Sequence, residues 1–105
     1  MGMFNPPHPG GLITEYIEDN NIGLRVLAKE LGVSASALSK VASGKASVSP
    51  EMAVRLEVGL GIAARLWLSM QVACDLHKAR ASTDVSGIHL HPGVLAAPAK
   101  ERPGK

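Results

Sequence analysis

Apolar residues recur at helical spacing through most of the chain and lose that rhythm at both ends. Leu12, Ile13, Tyr16 and Ile17 fall at i, i+1, i+4 and i+5, which makes one apolar helix face over residues 11–19, with Glu15, Glu18 and Asp19 opposite. Asn20, Asn21 and Gly23 interrupt it, and Gly23 suits the N-cap of a second helix. Two further helical segments follow, ending near Ser43-Gly44, where glycine suits a left-handed cap. Ser49-Pro50-Glu51 announces a fourth helix: serine caps, proline is pre-shaped for the first helical position, and the carboxylate complements the positive helix end. Its inner stripe is Met52, Ala53, Leu56 and Leu60, and Gly59 and Gly61 end it near Leu60. A fifth helix runs over about 63–81, where Leu66, Trp67, Met70, Ala73, Cys74 and Leu76, with Leu68 and Val72, make a face wider than one surface helix needs. The opening NPPHPGG reads as extended, because each proline pushes the residue before it away from helix. From Ser82 onward proline and glycine alternate and periodicity is gone. Residues 1–81 therefore form one all-α domain of five helices, and 82–105 an extended or partly disordered tail in which Val85, Ile88, Leu90, Val94 and Leu95 could dock as an arm.

Within this array, residues 24–43, LRVLAKELGVSASALSKVAS, have the spacing of a DNA-binding helix-turn-helix. Leu27, Leu31, Val33, Leu38 and Val41 face inward. Ala28 is the small residue where two helices cross. Gly32 sits where the first helix must end and the backbone turn sharply, and Ser34 can cap the second through its hydroxyl. The second helix is the one such a motif offers to the major groove. An ordinary helical hairpin is the alternative reading.

Charge distribution agrees with the motif better than total charge does. The formal net charge is only +2 over 105 residues, yet residues 12–21 carry acids and no base, while residues 24–45 carry Arg25, Lys29, Lys40 and Lys45 against Glu30 alone. A basic stripe confined to the motif is the footprint of a phosphate-binding face. No apolar run approaches a membrane span, and the start has no signal-peptide stretch, so a cytoplasmic location is expected. With one cysteine in an apolar run, Cys74 reads as a buried small hydrophobe rather than part of a disulfide framework.

Two further stretches narrow the motif to a family. FNPPHPGGLITEYIED resembles the opening of HigA-type antitoxins, and SPEMAVRLEVGL followed by LWLSMQVACDL is similar to their fourth and fifth helices, where Trp-Leu and a following Gln are typical. The resemblance covers roughly residues 4–80 and implies a phage-repressor-like (lambda repressor-like) helix-turn-helix fold of the xenobiotic-response-element class. It also implies an antitoxin that neutralises a small basic RelE-like toxin, which cleaves messenger RNA, and that represses its own operon as a homodimer.

On the motif, Ala35, Ser36, Ser39 and Lys40 take the base-facing positions. Serine and alanine read bases weakly, so shape, dimer spacing or an arm is expected to supply the remaining specificity. Phosphate contacts fall to Arg25, Lys29, Ser34, Ser43 and Lys45. Surplus apolar area on the last helix, at Leu66, Trp67, Met70, Ala73, Cys74 and His77, is expected to form a dimer interface. A two-fold dimer would meet a palindromic double-stranded operator with half-sites about 34 Å apart. Glu15, Glu18 and Asp19 read as a solvated face that could meet a basic toxin.

Catalysis and cofactors find no support. His89-x-His91 lacks a third ligand nearby, Cys74 and His77 share a helix face without a positive neighbour, and His8 between prolines reads as a hydrogen-bonding residue that orders the N-terminal segment. Neither an enzyme nor a resident metal or cofactor is expected. Two rival readings stay open: a stand-alone regulator of the same fold with no toxin, and a protein-interaction module whose DNA-binding face has decayed.

Overall fold

The computed structural model describes residues 6–93, and among them five α-helices succeed one another with no strand. They are α1 (Gly10–Asp19), α2 (Leu24–Leu31), α3 (Ala35–Ala42), α4 (Pro50–Leu60) and α5 (Ala64–Ser82). The all-α architecture expected from periodicity is the one observed.

Burial follows the predicted stripes. Ile13 of α1, Leu27, Ala28 and Leu31 of α2, Leu38 and Val41 of α3, Met52, Ala53 and Leu56 of α4, and Trp67 of α5 form one core, closed by Val48 from the α3–α4 connection. The core is aliphatic apart from Trp67, whose indole N–H donates to the Ile62 carbonyl at 2.9 Å. Burying the ring therefore leaves no polar atom unpaired.

The helix ends are chemically explicit. Ser49 Oγ accepts the Met52 N–H at 3.1 Å, with Pro50 behind it and Glu51 in the first turn. Gly61 ends α4 in the left-handed region at φ +79°. α1 begins one residue earlier than its apolar face, at Gly10, because His8 caps it: His8 Nδ1 accepts the Gly10 N–H at 2.9 Å. With Nδ1 accepting, the neutral ring carries its proton on Nε2. Cys74 is a core residue, its thiol pointing at the Pro6 and Pro7 carbonyls, 3.5 and 3.3 Å away.

One glycine is required by close approach of backbone, and a second sits at a helix crossing. A Cβ on Gly10 would run into the Val41 and Ala42 carbonyl oxygens, so the start of α1 lies directly against the backbone at the end of α3. A Cβ on Gly59 would run into Leu31 Cδ2, where α4 crosses the end of α2.

In the tail, every residue from Lys78 to Gly93 is exposed, Val85, Ile88 and Leu90 among them. Val94 and Leu95, the rest of the expected arm, lie outside the described residues.

The glycine geometry predicts opposite signs at adjacent positions. Gly10→Ala should destabilise by about 1–3 kcal/mol through overpacking. Gly11→Ala, which meets nothing within 4 Å, should stabilise by about 0.4–1 kcal/mol by restricting the unfolded chain. Urea denaturation of both variants checks this.

Candidate nucleic-acid interface

The unit from α2 to α3 is built by local hydrogen bonds that its sequence dictates. Gly23 is extended and its carbonyl accepts the Leu27 N–H at 3.1 Å. At the other end Gly32 turns left-handed, φ +76°, while the Gly32 and Val33 N–H groups donate back to Lys29 and Ala28 carbonyls at 3.1 and 3.0 Å. Ser34 then resumes an extended conformation, and its Oγ accepts the Ala37 N–H at 3.0 Å. Gly32, Val33 and Ser34 are the whole turn. Ala28, almost fully buried, lets α2 and α3 approach.

A residue the sequence did not single out clamps this turn from α4. Arg55 Nη1 donates to the Leu31 carbonyl at 2.8 Å and to the Gly32 carbonyl at 3.4 Å, while Nη2 pairs with Glu51 Oε2 at 3.0 Å. A Cβ on Gly32 would stand 2.7 Å from that same Nη1 and would displace the guanidinium, while the left-handed φ is what demands glycine. Only the Glu51–Arg55 spacing of one turn was visible beforehand. It suggests a surface pair, not a guanidinium reaching across to another helix.

The surface of the motif carries the expected groups. Ser36, Ser39 and Lys40 are exposed along the outer face of α3, with Ser43 exposed at its C-terminal cap. Ala35 is half-buried against the core, so its methyl is only partly offered outward, and the Ser34 hydroxyl is engaged as the cap. Arg25 and Lys29 are exposed one turn apart on α2. Lys45 is exposed in the connection after α3, where its own N–H and that of Ala46 both donate to the Lys40 carbonyl, at 2.8 and 3.0 Å. Gly44 is left-handed at φ +83°, and a Cβ there would lie 3.7 Å from the His8 ring. Glu15, Glu18 and Asp19 are exposed on α1, so the acids and bases expected on separate helices are separate.

On α5 the expected interface residues divide. Leu66 and Ala73 are exposed, and Met70 and His77 are half-buried. Trp67 and Cys74 are instead core residues of the protomer, with 0% and 6% exposure, and have no surface to give a partner. The wide apolar face of the helix is thus divided between the core and an exposed side. Exposed Val72 and Leu76 add to the outer side.

Among the described residues no group of three His, Cys, Asp or Glu side chains could hold a metal ion. His91 Nδ1 is taken by the Gly93 N–H at 3.1 Å. Asp84, just past α5, is held below the usual carboxylate range by hydrogen bonds from the Ser86 N–H and hydroxyl, away from the motif.

Set beside known proteins, residues 13–67 match the helix-turn-helix family. The chain belongs to that family. Its members are non-enzymatic DNA-binding proteins, and this chain is not an enzyme. YddM of Escherichia coli strain K12, an uncharacterized helix-turn-helix transcriptional regulator, is 38% identical over 86 residues, covering 82% of this chain and 92% of its own. Antitoxin HigA of Pseudomonas aeruginosa, solved with the higBA promoter, superposes with a TM-score of 0.74 at 27% identity, over 85% of this chain and 99% of its own. A second Pseudomonas aeruginosa protein, solved with its 18-bp operator DNA, does so with a TM-score of 0.73 at 30% identity, over 87% and 99%. Solved neighbours of this helix-turn-helix chain include HigA-family antitoxins, as its opening and its last two helices suggested.

The clamp and the cap have separable costs. Ser34→Ala should lower stability by about 1 kcal/mol. Arg55→Leu should cost about 1 kcal/mol, discounted for the side chain's partial exposure. Glu51→Ala, which removes only the exposed ion pair, should stay within about 0.5 kcal/mol. Denaturation midpoints of the three variants make the comparison.

Proposed function

We propose that this chain is an antitoxin that binds and neutralises a small basic RelE-like toxin and, as a homodimer, represses its own operon. The observation that carries the DNA half is the outer surface of the motif. Ser36, Ser39 and Lys40 on α3, flanked by Arg25, Lys29, Ser43 and Lys45, form an exposed polar and basic face on the fold that HigA presents with its promoter. Lys40 is the one long donor among the base-facing groups, so sequence discrimination leans on DNA shape and on the spacing of two protomers. Two-fold pairing through the outer side of α5, at Leu66, Met70, Val72, Ala73, Leu76 and His77, matches the apolar surface that side leaves uncovered.

The toxin half is supported by charge. Glu15 and Glu18 of α1 edge an open groove of about 560 Å³ whose other walls include Leu12 and Met70. An acidic rim over apolar walls suits a basic partner by electrostatic complementarity, and such a surface repels phosphate, so toxin and DNA would occupy different faces. The second reading, a regulator without a toxin, is favoured by the likeness to YddM, which is named a transcriptional regulator. Co-expression with the protein encoded beside its gene decides: a stoichiometric complex that relieves toxicity supports the antitoxin, and an isolated promoter-binding dimer supports the regulator.

Two expected outcomes follow. Lys45→Ala should reduce the slope of log affinity against log salt by about 0.9 for each Lys45 engaged, roughly 1.8 per dimer; promoter titration across a potassium chloride series measures it. Glu15→Lys with Glu18→Lys should weaken the toxin complex at least tenfold, by about 1.4 kcal/mol. Promoter binding should stay intact, which calorimetry and the same titration would report.

A further inference from the structure

Gln71 is a buried polar side chain in an otherwise apolar core, at 5% exposure. Its Oε1 accepts the Val48 N–H at 2.9 Å, across 23 residues of sequence, and its Nε2 donates to Asp75 Oδ1 at 3.0 Å one turn along α5. Val48 is itself buried and lies immediately before the Ser49 cap of α4. The connection from α3 is thus held at two points. The Lys40 carbonyl holds its start through the Lys45 and Ala46 N–H groups, and the Gln71 amide holds its end through Val48. Lys45 and Ser47 stand exposed between them.

From this geometry we infer that Gln71, oriented by Asp75, is a positioning residue for the contact that Lys45 makes with the DNA backbone. The inference rests on the DNA reading above and adds a residue that never touches DNA. The amide suits the task because it needs both faces: its oxygen pairs a buried backbone N–H that would otherwise be unsatisfied, and its NH₂ meets a carboxylate that accepts only. Reversing the amide would set donor against donor at Val48 and acceptor against acceptor at Asp75, so one orientation is held. The connection is then tied to α5 and not only to the recognition helix it follows.

The test uses the whole chain and its own promoter DNA, with the salt slope as the readout, because loss of folded protein alone does not change the number of phosphates engaged. Gln71→Leu should lower the slope by roughly the 1.8 expected of Lys45→Ala, and the double variant should lower it no further. Asp75→Ala, at an exposed position, covers the case in which Gln71→Leu does not fold. Its slope should fall below that of Asp75→Asn, which loses the same charge but keeps an acceptor for Nε2. Slopes for Gln71→Leu and Asp75→Ala equal to those of the parent and of Asp75→Asn, or losses that add in the double variant, overturn the inference while leaving the DNA reading intact. A Lys45→Ala slope equal to the parent's overturns both.

Discussion

The meeting of Gly10 with the last carbonyls of α3 sets the geometry on which the rest of the molecule depends. A helix of eight residues is too short to persist in water alone, so α3 exists only as far as its back is packed. Leu38 and Val41 supply that back, and α1 closes over it at backbone-to-backbone distance because Gly10 has no side chain. His8 then finishes the joint twice over, capping α1 through Nδ1 and laying its ring against Gly44 beyond the end of α3. Holding α3 from behind leaves its serine- and lysine-bearing front free of structural duty.

The same economy separates charge. The acidic residues of α1 project from the side of the domain that supports the recognition helix, and the basic residues lie on α2, α3 and the connection after them. A modest net charge therefore hides an acidic first helix and a mainly basic segment from α2 to the connection after α3.

Two side chains reach between helices to orient what the core cannot. Hydrophobic packing is non-directional and tolerates small rotations, whereas a guanidinium on the Leu31 and Gly32 carbonyls, or an amide on the Val48 N–H, has one satisfied geometry. Arg55 steadies the turn before α3, and Gln71 steadies the connection after it. Both come from helices that follow the motif in sequence.

Periodicity and the helix-turn-helix spacing determined the number and order of the helices, because an amphipathic stripe is a local property that repeats every turn. Turn and cap chemistry at Gly32, Ser34, Ser49 and Gly61 was legible for the same reason, since each acts on backbone within a few residues. The separation of acid from base, and the exposure of Ser36, Ser39 and Lys40, followed from those stripes. Tertiary structure decided what depends on residues distant in the chain. It assigned Trp67 and Cys74 to the core while leaving Leu66 and Ala73 outside, a division that the wide apolar face of α5 did not reveal. It showed why Gly10 must be glycine, and it revealed Arg55 and Gln71 as links between segments distant in the chain. A sequence records which residues a helix can bury; which neighbour buries them, and which carbonyl or N–H a long polar side chain then reaches, is settled only when the helices meet.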